Sequence, residues 1–311
     1  MSGAGGFVGA SLVRRLLADG HRVCALLRPG GPAWRLGDVA ADVDRVEVDL
    51  LDSEATAAAV RSVRPEWAFH LAAFGGYSWE ADRRRIIETN LLGTVGLLEA
   101  CASEGVEAFV HAGSSSEYGF KDHAPGEDEL LEPNSDYAVG KAAATLFCRY
   151  VAQREGVRAV TLRLYSAYGP WEEPKRLLPT LIAHALRGEL PPLVNPDVAR
   201  DFVYVEDVAE AFVLAAAKAP AGRIYNVGTG VQTTIEELVA LVRRILPVED
   251  EPQWGSMDDR VWDTGTWVAN AALIRHELGW EARSDLEEGL RRTIEWLQAA
   301  PELWERYGVS L

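Results

Sequence analysis

The sequence predicts an α/β protein, a doubly wound parallel sheet with helices on both faces and a smaller C-terminal substrate-binding lobe. Three observations predict it. Short apolar runs of strand length alternate with helical patterns through more than half the chain, the rhythm of βαβ units. A glycine-rich turn opens the first helix. After about residue 165, prolines at 170, 174, 179, 191, 192 and 196 break that rhythm. The expected division is 1–165 for the dinucleotide-binding domain and 166–311 mainly for the second lobe. Segments near 202–227 are expected to return to the first domain, with a cleft between the two parts.

In chain order, the strand candidates are 22–27, 45–48, 67–71, 108–112 and 159–164. Their runs are apolar rather than alternating, as in strands covered on both faces. Between them, 7–18, 54–63, 84–103 and 137–154 carry apolar residues at helical spacing, and Gly20, after Asp19, reads as the stop of the first helix. Residues 197–204 then lead into an apolar helix ending near Lys218, and 235–246 and 286–297 supply two further helices. No internal repeat or low-complexity segment interrupts this order. One feature does not fit: Met1-Ser2 is followed at once by the glycines, where a strand should feed the turn. The first strand is therefore expected upstream of Met1, as a short Val/Ile/Leu-rich segment in frame.

Composition narrows the function. The chain has 311 residues, 48% hydrophobic and 25% charged, the balance of a globular protein with a sizeable core. A formal net charge of −16 argues against nucleic acid or an anionic membrane as partner. No apolar run approaches the ~20 residues that span a bilayer, and the expected compartment is the cytoplasm. Cys24, Cys101 and Cys148 lie far apart in apolar runs, read as buried reduced thiols, and the scattered histidines predict no metal site.

Glycines at 3, 6 and 9, with Phe7 and Val8 between the last two, open a helix. Glycine there lets the backbone turn tightly and approach a pyrophosphate held by the helix N-terminus. The second strand ends Leu27-Arg28, with no acid to take the adenosine ribose hydroxyls, and Arg35 follows. An arginine there accommodates a 2′-phosphate, so NADP(H) is favoured over NAD(H); the alternative is that Arg28 caps an exposed strand end. Asp49, followed by Leu50, is placed to accept from the adenine amino group. Leu71, Ala72 and Ala73 end a strand with the small side chains needed beside a cofactor.

Tyr137 and Lys141 are four apart at the start of a helix, on one face. A phenol titrates near ~10, and a neighbouring ammonium stabilises its phenolate enough for proton exchange with a sugar hydroxyl. Lysine also suits the nicotinamide ribose. A strand ending Ala112-Gly113-Ser114 with Ser115 and Ser116 after it sits at the carboxyl edge of the sheet, where such folds bind ligands.

These pieces, with Thr89-Asn90-Leu91-Leu92-Gly93-Thr94, Arg163 to Pro170 and Arg200 to Val208, resemble the extended short-chain dehydrogenase/reductase superfamily. That superfamily includes nucleotide-sugar epimerases, dehydratases and reductases, and the resemblance covers nearly the whole chain. It implies a Rossmann-like fold, with Ser114, Tyr137 and Lys141 catalytic and Asn90 beside the cofactor. It implies Ser115, Ser116, Ser166, Arg200 and Arg260 on a nucleotide-diphosphate sugar, the two arginines meeting the diphosphate. Ser166 departs from relatives that carry asparagine there. A homodimer through helices 84–103 and 137–154 is expected.

Dehydratases of this group use a glutamate two residues before the Tyr-Gly dipeptide. Here that position is Ser116, and the acid, Glu117, falls one residue later; on a strand it would point to the other face. Arg28, through NADPH, and the resemblance of Ser114–Tyr118 to reductases that make deoxysugars then favour reduction of a 4-keto-6-deoxyhexose, with 4-epimerisation through a transient ketone as the alternative. A non-catalytic NADP-binding regulator is the reading of another class, and Tyr137 with Lys141 argues against it.

Overall fold

The computed structural model describes residues 1–257 and 264–309. α1 (Phe7–Ala18) leaves the glycine turn directly, and β1 (Val23–Leu27), β2 (Val43–Glu47), α2 (Ser53–Val63) and β3 (Trp67–His70) follow. α3 (Arg83–Ile87) and α4 (Gly93–Ser103) are joined by a π-helical turn, Glu88–Leu92, and precede β4 (Ala108–Ser114), α5 (Asp136–Glu155) and β5 (Ala159–Leu164). Then come β6 (Ser166–Tyr168), α6 (Leu177–Ala185), β7 (Ala199–Arg200), β8 (Phe202–Tyr204) and α7 (Val205–Lys218). β9 (Ile224–Val227), β10 (Thr233–Thr234), α8 (Ile235–Ile245), α9 (Ala272–Leu278) and α10 (Leu286–Gln298) lead towards the end of the described chain.

The predicted α/β architecture is present. β2 pairs with β1, and β3, β4, β5 and β9 pair in that order, every pair parallel. The two halves meet across Met1-Ser2. Ser2 bridges Leu26 on one side and His70 on the other. The Leu26 amide donates to the Met1 carbonyl at 2.7 Å, that of Ser2 to Phe69 at 2.9 Å, and that of Leu71 to Ser2 at 3.2 Å. Two residues thus hold the central place that the sequence left without a strand.

Strand side chains alternate between two cores. Phe69, Val110, Val160 and Leu162 pack with α1 and α7, while Ala68, Phe109 and Ala159 pack with α2, α4 and α5. Leu181, Ile182, Leu238, Val242, Leu290 and Ile294 form the separate core of the second lobe. The helix expected over 84–103 is interrupted because Asn90 is buried and turned towards the loop at Phe74. The thiols of Cys24, Cys101 and Cys148 are unpaired, and Cys24, expected to be buried, is only half-buried.

α5 starts from Ser135, whose hydroxyl accepts the Ala138 amide at 3.2 Å. That cap puts Tyr137 in the first turn, at the carboxyl edge of the sheet, and Lys141 one turn deeper.

Candidate active site

The carboxyl ends of β1, β3, β4 and β5 open on one cleft of about 1050 Å³, closed on its far side by the second lobe. It is at the upper end of the range for small-molecule sites. Gly3, Gly6, Phe7, Val8, Gly9, Arg28, Asp49, Leu50, Leu71, Ala72, Ala73, Ser114, Ser115, Ser116, Tyr137, Lys141, Ser166 and Arg200 all line it. Asn90 does not. Its carboxamide accepts the Phe74 amide at 2.9 Å and donates to the Phe74 carbonyl at 2.8 Å. Both ends of that side chain hold the Phe74 backbone, so Asn90 supports the loop that lines the cleft from behind. Arg260 lies outside the described residues.

At the glycine turn, a Cβ on Gly3 (φ +70) would sit 2.4 Å from the Ala72 nitrogen, and one on Gly9 2.0 Å from the Gly3 carbonyl oxygen. No side chain caps α1 at Gly6, so its first amides, which lack intrahelical partners, open on the cleft. This cradle fits a dinucleotide pyrophosphate. Asp49 accepts the Leu51 amide at 3.0 Å through one carboxylate oxygen. Arg28 is exposed at the end of β1. Arg35 is withdrawn from it: its guanidinium is buried, donating to the Trp171 carbonyl at 2.6 Å and pairing with Glu173 at 3.0 Å. Only Arg28 is left to read a 2′-phosphate from that segment.

Deeper in the cleft, Tyr137 shares a hydrogen bond with Ser114, whose hydroxyl also meets that of Ser116 at 2.8 Å. Burial pushes the Tyr137 phenol up to about 12, with the Glu117 charge acting the same way and the Ser114 bond opposing. Lys141 is 2% exposed, and burial draws its ammonium down to about 8. Its Nζ lies 3.2 Å from His111 Nε2. His111, held well below the usual histidine range by burial, is neutral and accepts from the lysine. The charges that act most on Tyr137 are Glu117 and Arg176; the ammonium expected against the phenol is turned to His111 instead.

Glu117 lies in a 3-10 turn, Ser115–Tyr118, not on a strand, and is fully buried away from the cleft. Towards the second lobe, Arg200 donates to the Ala199 carbonyl at 2.7 Å and stands 5.6 Å over the Trp267 ring. Asp201 accepts the Thr229, Gly230 and Ala269 amides at 2.8, 2.9 and 3.0 Å, anchoring the turn that carries it. Ser166 donates its amide to the Asp201 carbonyl at 2.9 Å.

Sequence reasoning missed several cleft residues. Trp267 donates to Ser115 Oγ at 3.1 Å. Tyr77 and Trp79 stack at 4.8 Å, with Arg176 and Lys175 over their faces. Glu172 is 4% exposed, pairs with Arg176 at 3.3 Å, and keeps Oε2 without a partner. The run Trp171-Glu172-Glu173-Pro174-Lys175-Arg176 is dense in charge, which was the available signal.

With this geometry in place, residues 1–228 match the sequence profile of the NAD dependent epimerase/dehydratase family. The chain is 33% identical over 309 residues to the UDP-glucose 4-epimerase of Mycolicibacterium smegmatis, covering 96% of this chain and 97% of that one. It is 28% identical to the dTDP-glucose 4,6-dehydratase of Streptomyces griseus, over 98% of this chain and 95% of that one. Its fold matches the Thermus thermophilus UDP-glucose 4-epimerase in complex with NAD with a TM-score of 0.85 and 31% identity, covering 96% and 98% of the two chains.

Proposed function

The chain belongs to the NAD dependent epimerase/dehydratase family, and from that premise we propose that it inverts C4 of a nucleotide-diphosphate hexose through a transient ketone. The observation that carries this reading is Tyr137, hydrogen-bonded to Ser114 at the floor of the cleft with Lys141 one turn below. The Gly3 to Gly9 turn would hold the pyrophosphate of a nicotinamide dinucleotide, with Asp49 and Arg28 at its adenosine end. When bound, that cofactor would supply reversible hydride transfer at C4. Tyr137 would take the O4 proton as its phenolate, the form that the positive nicotinamide ring of the bound cofactor would favour, becoming the phenol as the ketone forms and returning the proton when the alcohol is restored. Ser114 holds the same oxygen, and Lys141, its Nζ turned to His111 and not to the phenol, would hold the nicotinamide ribose and act on the phenolate only through its charge. Arg200 meets the diphosphate, its positive charge local against an acidic chain.

Elimination is disfavoured, because Ser116 stands where a dehydratase needs its acid and Glu117 has both oxygens engaged elsewhere. Net reduction of a 4-keto-6-deoxyhexose is the second reading. Arg28, exposed at the end of β1 with no acid beside it, favours it by favouring NADPH. The two part in one assay. Interconversion of UDP-glucose and UDP-galactose at catalytic NAD supports epimerisation. Oxidation of NADPH by a nucleotide-linked 4-keto-6-deoxyhexose, with no interconversion, supports reduction. In either case Tyr137→Phe is expected to cost ~10²–10⁴-fold in turnover, and full retained turnover would sink the assignment.

A homodimer is part of the proposal. Leu92, Val139, Leu146 and Tyr150 are exposed on the α3–α4 segment and α5, an apolar face two such helix pairs would cover. Light scattering on the purified chain decides between one copy and two.

A further inference from the structure

Glu117 has no part in the chemistry above, yet the fold is arranged around it. It is fully buried. Its Oε1 accepts the Ser114 amide at 2.8 Å and the Thr145 hydroxyl at 2.9 Å, and its Oε2 accepts Arg163 Nε at 2.8 Å. Arg163, 1% exposed, donates onward to the Tyr118 hydroxyl at 2.8 Å and the Glu127 carbonyl at 2.9 Å. Tyr118 donates to Asn226 on β9 at 2.8 Å. Gly113 makes the room: a Cβ there would lie 2.8 Å from Glu117 Oε1 and 2.7 Å from Thr161 Cγ2. A buried ion pair is costly to desolvate and seldom stabilises more than an apolar replacement, so its use lies in what it positions.

Two parts of the site are linked to it. One is the Ser114 turn, whose first amide it holds. The other is Lys141, on the same face of α5 as Thr145 and one turn before it. Burial works against the Lys141 charge, and the Glu117 carboxylate works for it. The remaining groups around Lys141 offer no anion. His111 on β4 is neutral, as is His70 stacked on it from β3, each kept so by burial. On α5 itself, Cys148 stays a thiol, pushed up to about 12 by burial, and Tyr137 stays a phenol. The charged group against Glu117 is Arg163 on β5, beside which stands Glu127 on the loop before α5; Arg176 reaches Tyr137 from the second lobe.

We propose that Glu117 is a positioning residue that, with Arg163 as counter-ion, locks the Ser114 turn and holds Lys141 as an ammonium inside the protein. Its functional consequence rests on reading Tyr137 and Lys141 as the acid–base pair, but the charge of Lys141 can be measured without turnover. The chain has only four lysines, at 121, 141, 175 and 218. Carbon-13 labelling at lysine Cε therefore gives four signals, of which Lys141→Met removes one.

The Lys141 midpoint is expected near 8 in the parent and lower by roughly one pH unit or more in Glu117→Gln. Because that change leaves Arg163 buried without a counter-charge, Glu117→Gln combined with Arg163→Met is measured beside it. The same downward move, smaller, is expected there. Thr145→Val, which removes a neutral bond and keeps the carboxylate, should leave the midpoint in place. A midpoint unmoved in the double variant, or moved as far by Thr145→Val, overturns the proposal. Turnover adds a second readout. Loss of the negative charge lowers the titration of both Tyr137 and Lys141, so the whole pH–rate profile should move acidward. A profile that loses height and keeps its limbs overturns it equally. Should Tyr137→Phe retain activity, the catalytic reading fails while the NMR result stands by itself.

Discussion

On the sheet side of the cleft the ligand surface is mostly backbone; on the opposite side it is side chains, brought together from distant stretches of chain. Gly3 and Gly9 leave no room for a Cβ, and Ala72 and Ala73 line the cleft beside them, where the main chain would approach a dinucleotide. Across from them stand Glu172, Lys175 and Arg176, held by an arginine 136 residues earlier in the chain, Arg35 on the Trp171 carbonyl. On the proposed reading the sheet wall would meet an invariant diphosphate by geometry, so its sequence is local and restrictive. The opposite wall would meet one sugar among many, and it carries side chains with charge and reach.

That contrast predicts opposite responses to substitution. The largest effect belongs to Gly9→Ala, whose Cβ would fall 2.0 Å from the Gly3 carbonyl oxygen, a backbone atom that cannot swing aside. A loss of at least ~3 kcal/mol in stability is expected, together with loss of dinucleotide binding. Gly6→Ala, 3.2 Å from the same oxygen, should fold and bind weakly. Thermal unfolding and cofactor titration of the two variants check this; equal behaviour would break the backbone argument.

Glu172→Gln tests the other wall. Burial pushes the Glu172 carboxyl up to about 7, and Arg176 only partly opposes it. A carboxyl raised on folding contributes stability that is full below its unfolded value of 4.5 and lost as pH rises to about 7. The amount is on the order of 3 kcal/mol. Glutamine does not ionise, so the variant should gain on the parent between pH 5 and pH 8, as read by urea unfolding at each. A difference that stays constant with pH would mean that the carboxylate finds a partner in solution.

Arg35→Met is the next step down. Removing the clasp frees the Trp171–Arg176 stretch while leaving the glycine turn untouched, so substrate KM should rise about tenfold, ~1–2 kcal/mol, with cofactor affinity unchanged. A fall in cofactor affinity would place Arg35 functionally on the sheet side, where its sequence position first suggested it.

The same contrast explains what was legible in the sequence. α1, α5 and β5 follow local rules: apolar spacing, Ser135 as cap, and glycines that only a tight turn needs. The Tyr137 and Lys141 pair is legible because four residues on a helix fix a common face. Arg35 and Trp267 carry no such signature, since their partners lie far away in sequence, and Glu172 shows only as one member of a charge-dense run. Asn90 marks the limit between the two. Its motif is local, but its side chain serves the Phe74 backbone, a fact that depends on the π-helical turn and on a loop sixteen residues earlier.

Arg28 is one of the few positions on the sheet wall where a side chain and not the backbone would decide, and the smallest effect is expected there. It is exposed at the end of β1, so any pairing with a 2′-phosphate is made in water and screened by salt. Arg28→Ala should weaken NADPH by about fivefold, ~1 kcal/mol, and leave NADH unchanged, and the difference should shrink at high salt. If both cofactors bind alike before and after the change, Arg28 only finishes a strand. The adenosine end would then rest on Asp49 and the backbone, the charge on Arg28 would cease to support NADPH, and the reductive reading would lose the observation that favours it.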